Sequence, residues 1–185
     1  MIRQSVSRMA YASTKNHKAN DRDYYGTPSE YVSLARRVMG SIELDPASSL
    51  EANERFIQAD RIWTMQDDGL AQSWKSETMF LNPPYSSRGA YDFARKFSDE
   101  CESGNIGQAV VLVNSATGTR AFRYLFDNCD AICFCNKRIQ FLDPSGQRSQ
   151  TSNSKEQLFF YKGGRMKTFA KHFGRIGRIV KTEAV

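Results

Sequence analysis

The sequence predicts an α/β fold, one domain with a mostly parallel sheet and helices on both faces. Short apolar runs alternate along it with amphipathic stretches of roughly ten residues, the pattern of strand-helix-strand units. One run, QAVVLV at 108–113, is apolar throughout, as a strand buried on both faces is. The chain has 185 residues, 40% of them hydrophobic and 25% charged, enough for one ordinary core and too few for two large ones.

Residues 1–22 are polar and without periodicity, which predicts a flexible basic arm, with order beginning near Tyr24. In PSEYVSLARRVMG, Pro28 suits a first helical turn, Tyr31, Leu34, Ala35 and Val38 recur at helical spacing, and Gly40 suits a C-cap. SIELD reads as a short strand ending at Asp45, SLEANERFIQA as a helix, and RIWTM as a strand before the turn-like QDDG. TMFL runs apolar into NPPY, where the prolines at 83 and 84 force the chain out of the sheet. Helices follow through YDFARKFSDECESG and TRAFRYLFDN, and strands at QAVVLV, DAICFCN and EQLFFYK. RIQFLDPSGQRSQTSNSK is the longest polar insertion and reads as a functional loop. The division expected is a basic arm at 1–22, a main domain at 23–161 and a basic C-terminal extension at 162–185.

No apolar run approaches the ~18 residues of a membrane helix, and the N-terminus lacks the apolar centre of a signal peptide, so a cytoplasmic protein with no membrane partner is expected. Four clustered cysteines do not make a disulfide framework; Cys129, Cys133 and Cys135 lack structural-zinc spacing and read as buried thiols, and His17 and His172 lie in the basic ends, so no metal site is expected. The net charge of +6 is unevenly spread. Residues 1–20 and 162–181 hold eleven Lys and Arg and no acid, whereas residues 21–161 hold 15 cations against 19 Asp and Glu. Basic ends on an acidic body suit a polyanion, because each neutralised phosphate releases counterions. A tail kept for solubility is the bland alternative.

Asn82, Pro83, Pro84 and Tyr85 follow a strand directly, where open α/β sheets bind ligands. An exocyclic amine on a nucleobase is a poor nucleophile because its lone pair is delocalised into the ring. The Asn82 side-chain oxygen and the Pro83 carbonyl can accept both amine hydrogens and turn the nitrogen toward tetrahedral geometry. Prolines fix the loop and donate no hydrogen bonds, and Tyr85 offers a face on which an extruded base can stack. A plain proline turn is the competing reading.

At these residues the chain resembles the phage-type DNA N6-adenine methyltransferases, a Dam-like group that uses S-adenosylmethionine. The ordered set of TP at 27–28, LDPAS at 44–48, DDGL at 67–70, Trp74 and NPPY at 82–85 carries the likeness, which runs from Tyr25 to Tyr161. It implies a compact, Rossmann-like class I methyltransferase sheet without a separate target-recognition domain, acting on double-stranded DNA. Thr27 and Pro28 are then similar to the segment touching the methionine end of the cofactor. Asp45, Pro46 and Ala47 are similar to the first-strand motif near its ammonium or ribose. Asn53 belongs to the same signature, Asp68 is similar to the acid that accepts from the cofactor's adenine amine, and Asn82, Pro83, Pro84 and Tyr85 form the catalytic loop.

One departure stands out: no glycine lies between Gly40 and Gly69, where most such enzymes place a glycine-rich loop, and only about 37 residues separate Asp45 from Asn82. Asp45 could instead cap the following helix, and Asp67 or Asp68 could be a turn acid. A methyltransferase of RNA or protein glutamine, or a catalytically silent DNA-binding module, are the alternative functions. The oligomeric state and the recognition sequence are open. The C-terminal segment either meets phosphates or packs on the sheet through Met166, Phe169 and Phe173.

Overall fold

The structure, a computed structural model, describes residues 26–143, 146–148 and 155–182; the expected arm at 1–22 lies outside them. The chain enters through a two-way backbone pairing of Gly26 with Leu142. Helix α1, Ser29–Met39, follows Pro28 and buries Val32, Ala35, Val38 and Met39, the stripe its spacing dictates. It stops at Gly40, whose φ of 95° lies in the region that favours glycine. The Arg165 guanidinium donates to the freed carbonyls of Val38 and Met39 at 3.3 and 3.4 Å.

Strand β1, Leu44–Asp45, leads into the short helix α2, Leu50–Ala52, and a π-helical turn over Asn53–Ile57. The widened turn closes through Gln58 N–H to the Asn53 carbonyl at 2.8 Å. Strands β2, Arg61–Ile62, and β3, Ser76–Leu81, follow, then α3, Ser87–Glu102, capped by the Ser86 hydroxyl. The remainder is β4, Ile106–Asn114; α4, Arg120–Asn128; β5, Ala131–Cys135; β6, Gln157–Lys162; α5, Met166–Phe173; and β7, Gly177–Lys181.

These strands form one sheet in the order β2-β1-β3-β4-β6-β5-β7. β2, β1, β3 and β4 are parallel neighbours, whereas β6 runs antiparallel to β4 and β5, and β7 antiparallel to β5. One face packs α1, the π turn and α5 on Phe80, Val110, Leu112, Cys133, Phe159 and Tyr161. The other packs Ala94 and Phe97 of α3 and Leu125 of α4, with Trp74, on Met79, Leu81, Val111, Ile132 and Phe160. Burial on both faces makes β3, β4 and β6 almost continuously apolar.

Two expectations need correction. A mostly parallel sheet describes only the β2-to-β4 half; beyond β4 each pairing is antiparallel, because β6 returns beside β5 without a crossover helix. Residues 162–182, set apart as a basic extension, supply the end of β6, all of α5 and the edge strand β7. Phe169 and Phe173 are fully buried there, as the packing alternative for this segment required. No helix among the described residues is long and apolar enough to cross a membrane.

Candidate ligand site at the β1/β3 crevice

β1 has β2 on one side and β3 on the other, so the strand order reverses there and a crevice opens at the C-terminal ends. Leu44 is level with Met79, which brings Asp45 and, just past β3, Asn82 to the same sheet edge on adjacent strands.

Asn82 is held by its own amide. Its Nδ2 donates to the buried Thr27 hydroxyl oxygen at 3.1 Å, while its Oδ1 is buried with no hydrogen-bond partner. Thr27 sits between the Gly26–Leu142 pairing and the first turn of α1, which Pro28 begins, so both ends of its segment are fixed. Pro83 is buried, and no amide of the described residues donates to its carbonyl. The Asn82 oxygen and the Pro83 carbonyl are thus acceptors with no donor among the described residues, and a buried acceptor without a donor costs free energy that an incoming N–H would recover.

Tyr85 packs edge-on against Phe141, with ring centroids 5.5 Å apart at 67°. Its hydroxyl is buried without a partner, and burial, with Cys135 nearby, holds its pKa well above the usual phenol value. The ring is therefore anchored by packing and not by the hydroxyl. Tyr85→Phe should fold with unchanged or raised stability and keep full activity, since it removes an unsatisfied hydroxyl and leaves the ring. Thermal unfolding and turnover check this; a loss of more than tenfold in turnover would give the hydroxyl a role in the reaction.

Asp45 is 3% exposed, and its Oδ1 accepts from the Ala47 amide at 3.1 Å. Burial pushes its carboxyl up to about 7, against the opposing pull of the Ala47 amide and the Ser48 hydroxyl. It does not cap the next helix: Ser49 does, accepting from Ala52 N at 3.1 Å. Because the folded state keeps the Asp45 proton from pH 3.8 to about 7 while the unfolded chain releases it, stability falls as pH rises through that window and levels above it. Asp45→Asn should remove a decline on the order of 4 kcal/mol, so the variant outlasts wild type in urea at pH 8 but not at pH 4. Parallel urea-stability curves for both proteins from pH 4 to 8 would contradict this environment.

The DDGL turn is locked onto β1. A Cβ on Gly69 would lie 2.2 Å from the Pro46 carbonyl oxygen, so the two backbones touch where only glycine fits. The fully buried Trp74 holds Gly69 in place, its indole N–H donating to the Gly69 carbonyl at 2.7 Å. Asp67 is the turn acid, accepting from the Thr64 amide and hydroxyl at 2.9 and 2.6 Å, while Asp68 is exposed with φ of 51°. Asn53 stands apart from the crevice pair: its Nδ2 donates to the Ala59 carbonyl and its Oδ1 accepts from the Ala59 amide, so its side chain fastens the end of the π turn.

Phe141 and the glycine contact were missed in the sequence. Phe141 sat in a loop read as polar, although Ile139, Phe141 and Leu142 form an apolar cluster that the structure buries. In the loops flanking the crevice, Arg148 pairs with Glu30 and Arg88 approaches Asp92 at 3.5 Å; Gln150 and Asn153, in the polar insertion, lie outside the described residues.

The sheet and its crevice define an α/β protein with Asp45 and the Asn82 loop at a topological switch point, the place where open sheets bind ligands. The sequence profile of the DNA N-6-adenine-methyltransferase (Dam) family matches residues 14–184, nearly the whole chain, and the chain belongs to that family. No curated protein matches the chain as a relative.

Proposed function

We propose that the protein transfers the methyl group of S-adenosylmethionine to N6 of an adenine extruded from double-stranded DNA, on a Rossmann-like class I sheet. The buried, unpartnered Oδ1 of Asn82 beside the Pro83 carbonyl carries this reading. Two acceptors that no protein donor uses match the two hydrogens of an exocyclic amine. Binding both draws the nitrogen out of conjugation, which stabilises the transition state more than the ground state. Pro84 keeps the loop rigid, and the anchored Tyr85 ring offers the base a surface. After transfer the amine is strongly acidic and gives its proton to solvent, so no general base is needed.

The residues at β1 fit the cofactor. The cofactor supplies an electrophilic methyl group on a sulfonium. Asp45, buried without a cation, is suited to an ammonium or a ribose hydroxyl, and the Pro46–Ala47 turn, locked under Gly69, shapes the adjoining wall. Thr27 and Pro28 close the side nearest Asn82, and the exposed Asp68 is available to an adenine amine. Asn53 contributes by fastening the segment between β1 and β2.

The test is transfer of tritium from labelled S-adenosylmethionine to unmethylated duplex DNA, followed by nucleoside analysis. Label in N6-methyladenine is the expected result. Label recovered only in RNA or in protein glutamine, or in no acceptor, overturns it.

A further inference from the structure

Residues 162–181 contain seven Lys and Arg and no acid, and α5 sorts them by face. Phe169 and Phe173 are turned to the sheet and fully buried, whereas Lys167, Lys171 and, just past the helix, Arg175 are exposed at intervals of four. Lys167 and Lys171 are one helical turn apart, a rise of about 6 Å, and Arg175 follows in the turn that ends the helix. α1 lies beside α5 and adds the exposed Arg37, which reaches close enough that, after burial, it joins Lys171 and Arg175 in holding the His172 pKa low. Among the described residues none of these four cations has a carboxylate within salt-bridge distance. Unpaired like charges held together repel one another, and a polyanion relieves that cost.

The ridge also leads to the crevice. α5 ends where the Ile176 carbonyl accepts from Asn136 at 2.9 Å, just beyond the C-terminal end of β5. That is the sheet edge at which β3 delivers Asn82, with β4 and β6 between, a separation of about 14 Å at ordinary strand spacing. The chain from Asn136 runs along this rim, past the exposed Lys137, to Phe141 against Tyr85. One turn of duplex, ~34 Å, covers both.

We propose that Lys167, Lys171 and Arg175 of the α5 side, with Arg37 of α1, form the surface along which duplex DNA lays its phosphate backbone while the target adenine occupies the Asn82 loop. This rests on the reading of the chain as a DNA adenine methyltransferase. Packing and phosphate binding are then not alternatives for the C-terminal segment: its two faces divide the tasks. Contacts of this kind set affinity and position without reading bases.

Deleting the segment would unfold the protein, so the test uses charge-removing substitutions at exposed positions. Lys167→Gln, Lys171→Gln and Arg175→Gln are combined in one variant; Arg95→Gln, Arg120→Gln and Arg123→Gln, exposed on the opposite face, give a control of equal charge change. Fluorescence anisotropy with a short labelled duplex is followed from low to high salt, with circular dichroism to verify folding. In the ridge variant the slope of log affinity against log salt should flatten by about 2 to 3, at roughly 0.9 for each lost phosphate contact. Its KM for DNA should rise by at least about tenfold alike for every duplex sequence, with kcat at saturating DNA unchanged. A folded ridge variant with the wild-type slope overturns the proposal, as does a control variant that flattens more. Nucleoside analysis of the same wild-type reactions separates the two ideas: N6-methyladenine formed with an unaltered ridge slope rejects the ridge alone, and its absence rejects the methyltransferase reading.

Discussion

Asn82→Ala should reduce methyl transfer by about 10²- to 10³-fold while leaving the dissociation constant of S-adenosylmethionine near its wild-type value, the scale seen when one group aimed at developing charge is removed. The lost oxygen matters most as the nitrogen rehybridises, so kcat falls and ground-state binding changes little. The substitution also strips Thr27 of its partner, and a buried hydroxyl left alone costs about 1–3 kcal/mol, so stability must be measured beside activity. Thr27→Val separates the contributions: it keeps the Asn82 oxygen but removes what orients it, and should lower kcat by less than Asn82→Ala. Single-turnover transfer with equilibrium cofactor binding on each variant checks this. A folded Asn82→Ala protein with wild-type turnover would remove the amide from the reaction.

Legibility in the sequence followed the range of the interactions. α1, α3 and α4 were readable because their apolar stripes and end residues are local, and β4 because nine strand residues under two helical layers leave few polar positions. NPPY was readable as a loop because proline forbids the alternatives. β7 was not: Gly177, Arg178 and Lys181 look like a tail, and only pairing with β5 makes GRIVK a strand. The direction of β6 was hidden for a similar reason, since no residue of QLFFYK records which way its neighbours run. At the site, Asp45 was identified, but its elevated pKa arises from burial that its neighbours in sequence do not reveal. Asn53 was legible as part of a signature and not as a clamp, because its partner Ala59 offers only backbone atoms.

The absence of a glycine-rich turn after β1 finds its answer in Gly69, and Gly69→Ala should be a strongly damaging methyl addition at the crevice. The added carbon would sit 2.2 Å from the Pro46 carbonyl oxygen and 3.3 Å from the Trp63 Cβ, and the first of these is backbone that cannot rotate aside. Neither side yields easily. Pro46 follows β1, while the Gly69 carbonyl is tied to the Trp74 indole at 2.7 Å in the core. The DDGL turn must therefore lift away from Asp45–Pro46–Ala47, at the upper part of the ~1–3 kcal/mol usual for overpacking or beyond it. The loss should show twice, as a lowered urea midpoint and as weakened S-adenosylmethionine binding, because the same contact shapes the cofactor wall. Gly118→Ala, where an added carbon meets nothing within 4 Å, is the matched control and should be nearly neutral in both measurements. Trp74→Phe, which keeps an aromatic ring but not the N–H, should fall between them, since it frees the Gly69 carbonyl without forcing the backbones apart. A Gly69→Ala protein matching wild type in both stability and cofactor affinity would mean that the turn can move off β1 freely, and that the wall beside Asp45 is not set by this contact.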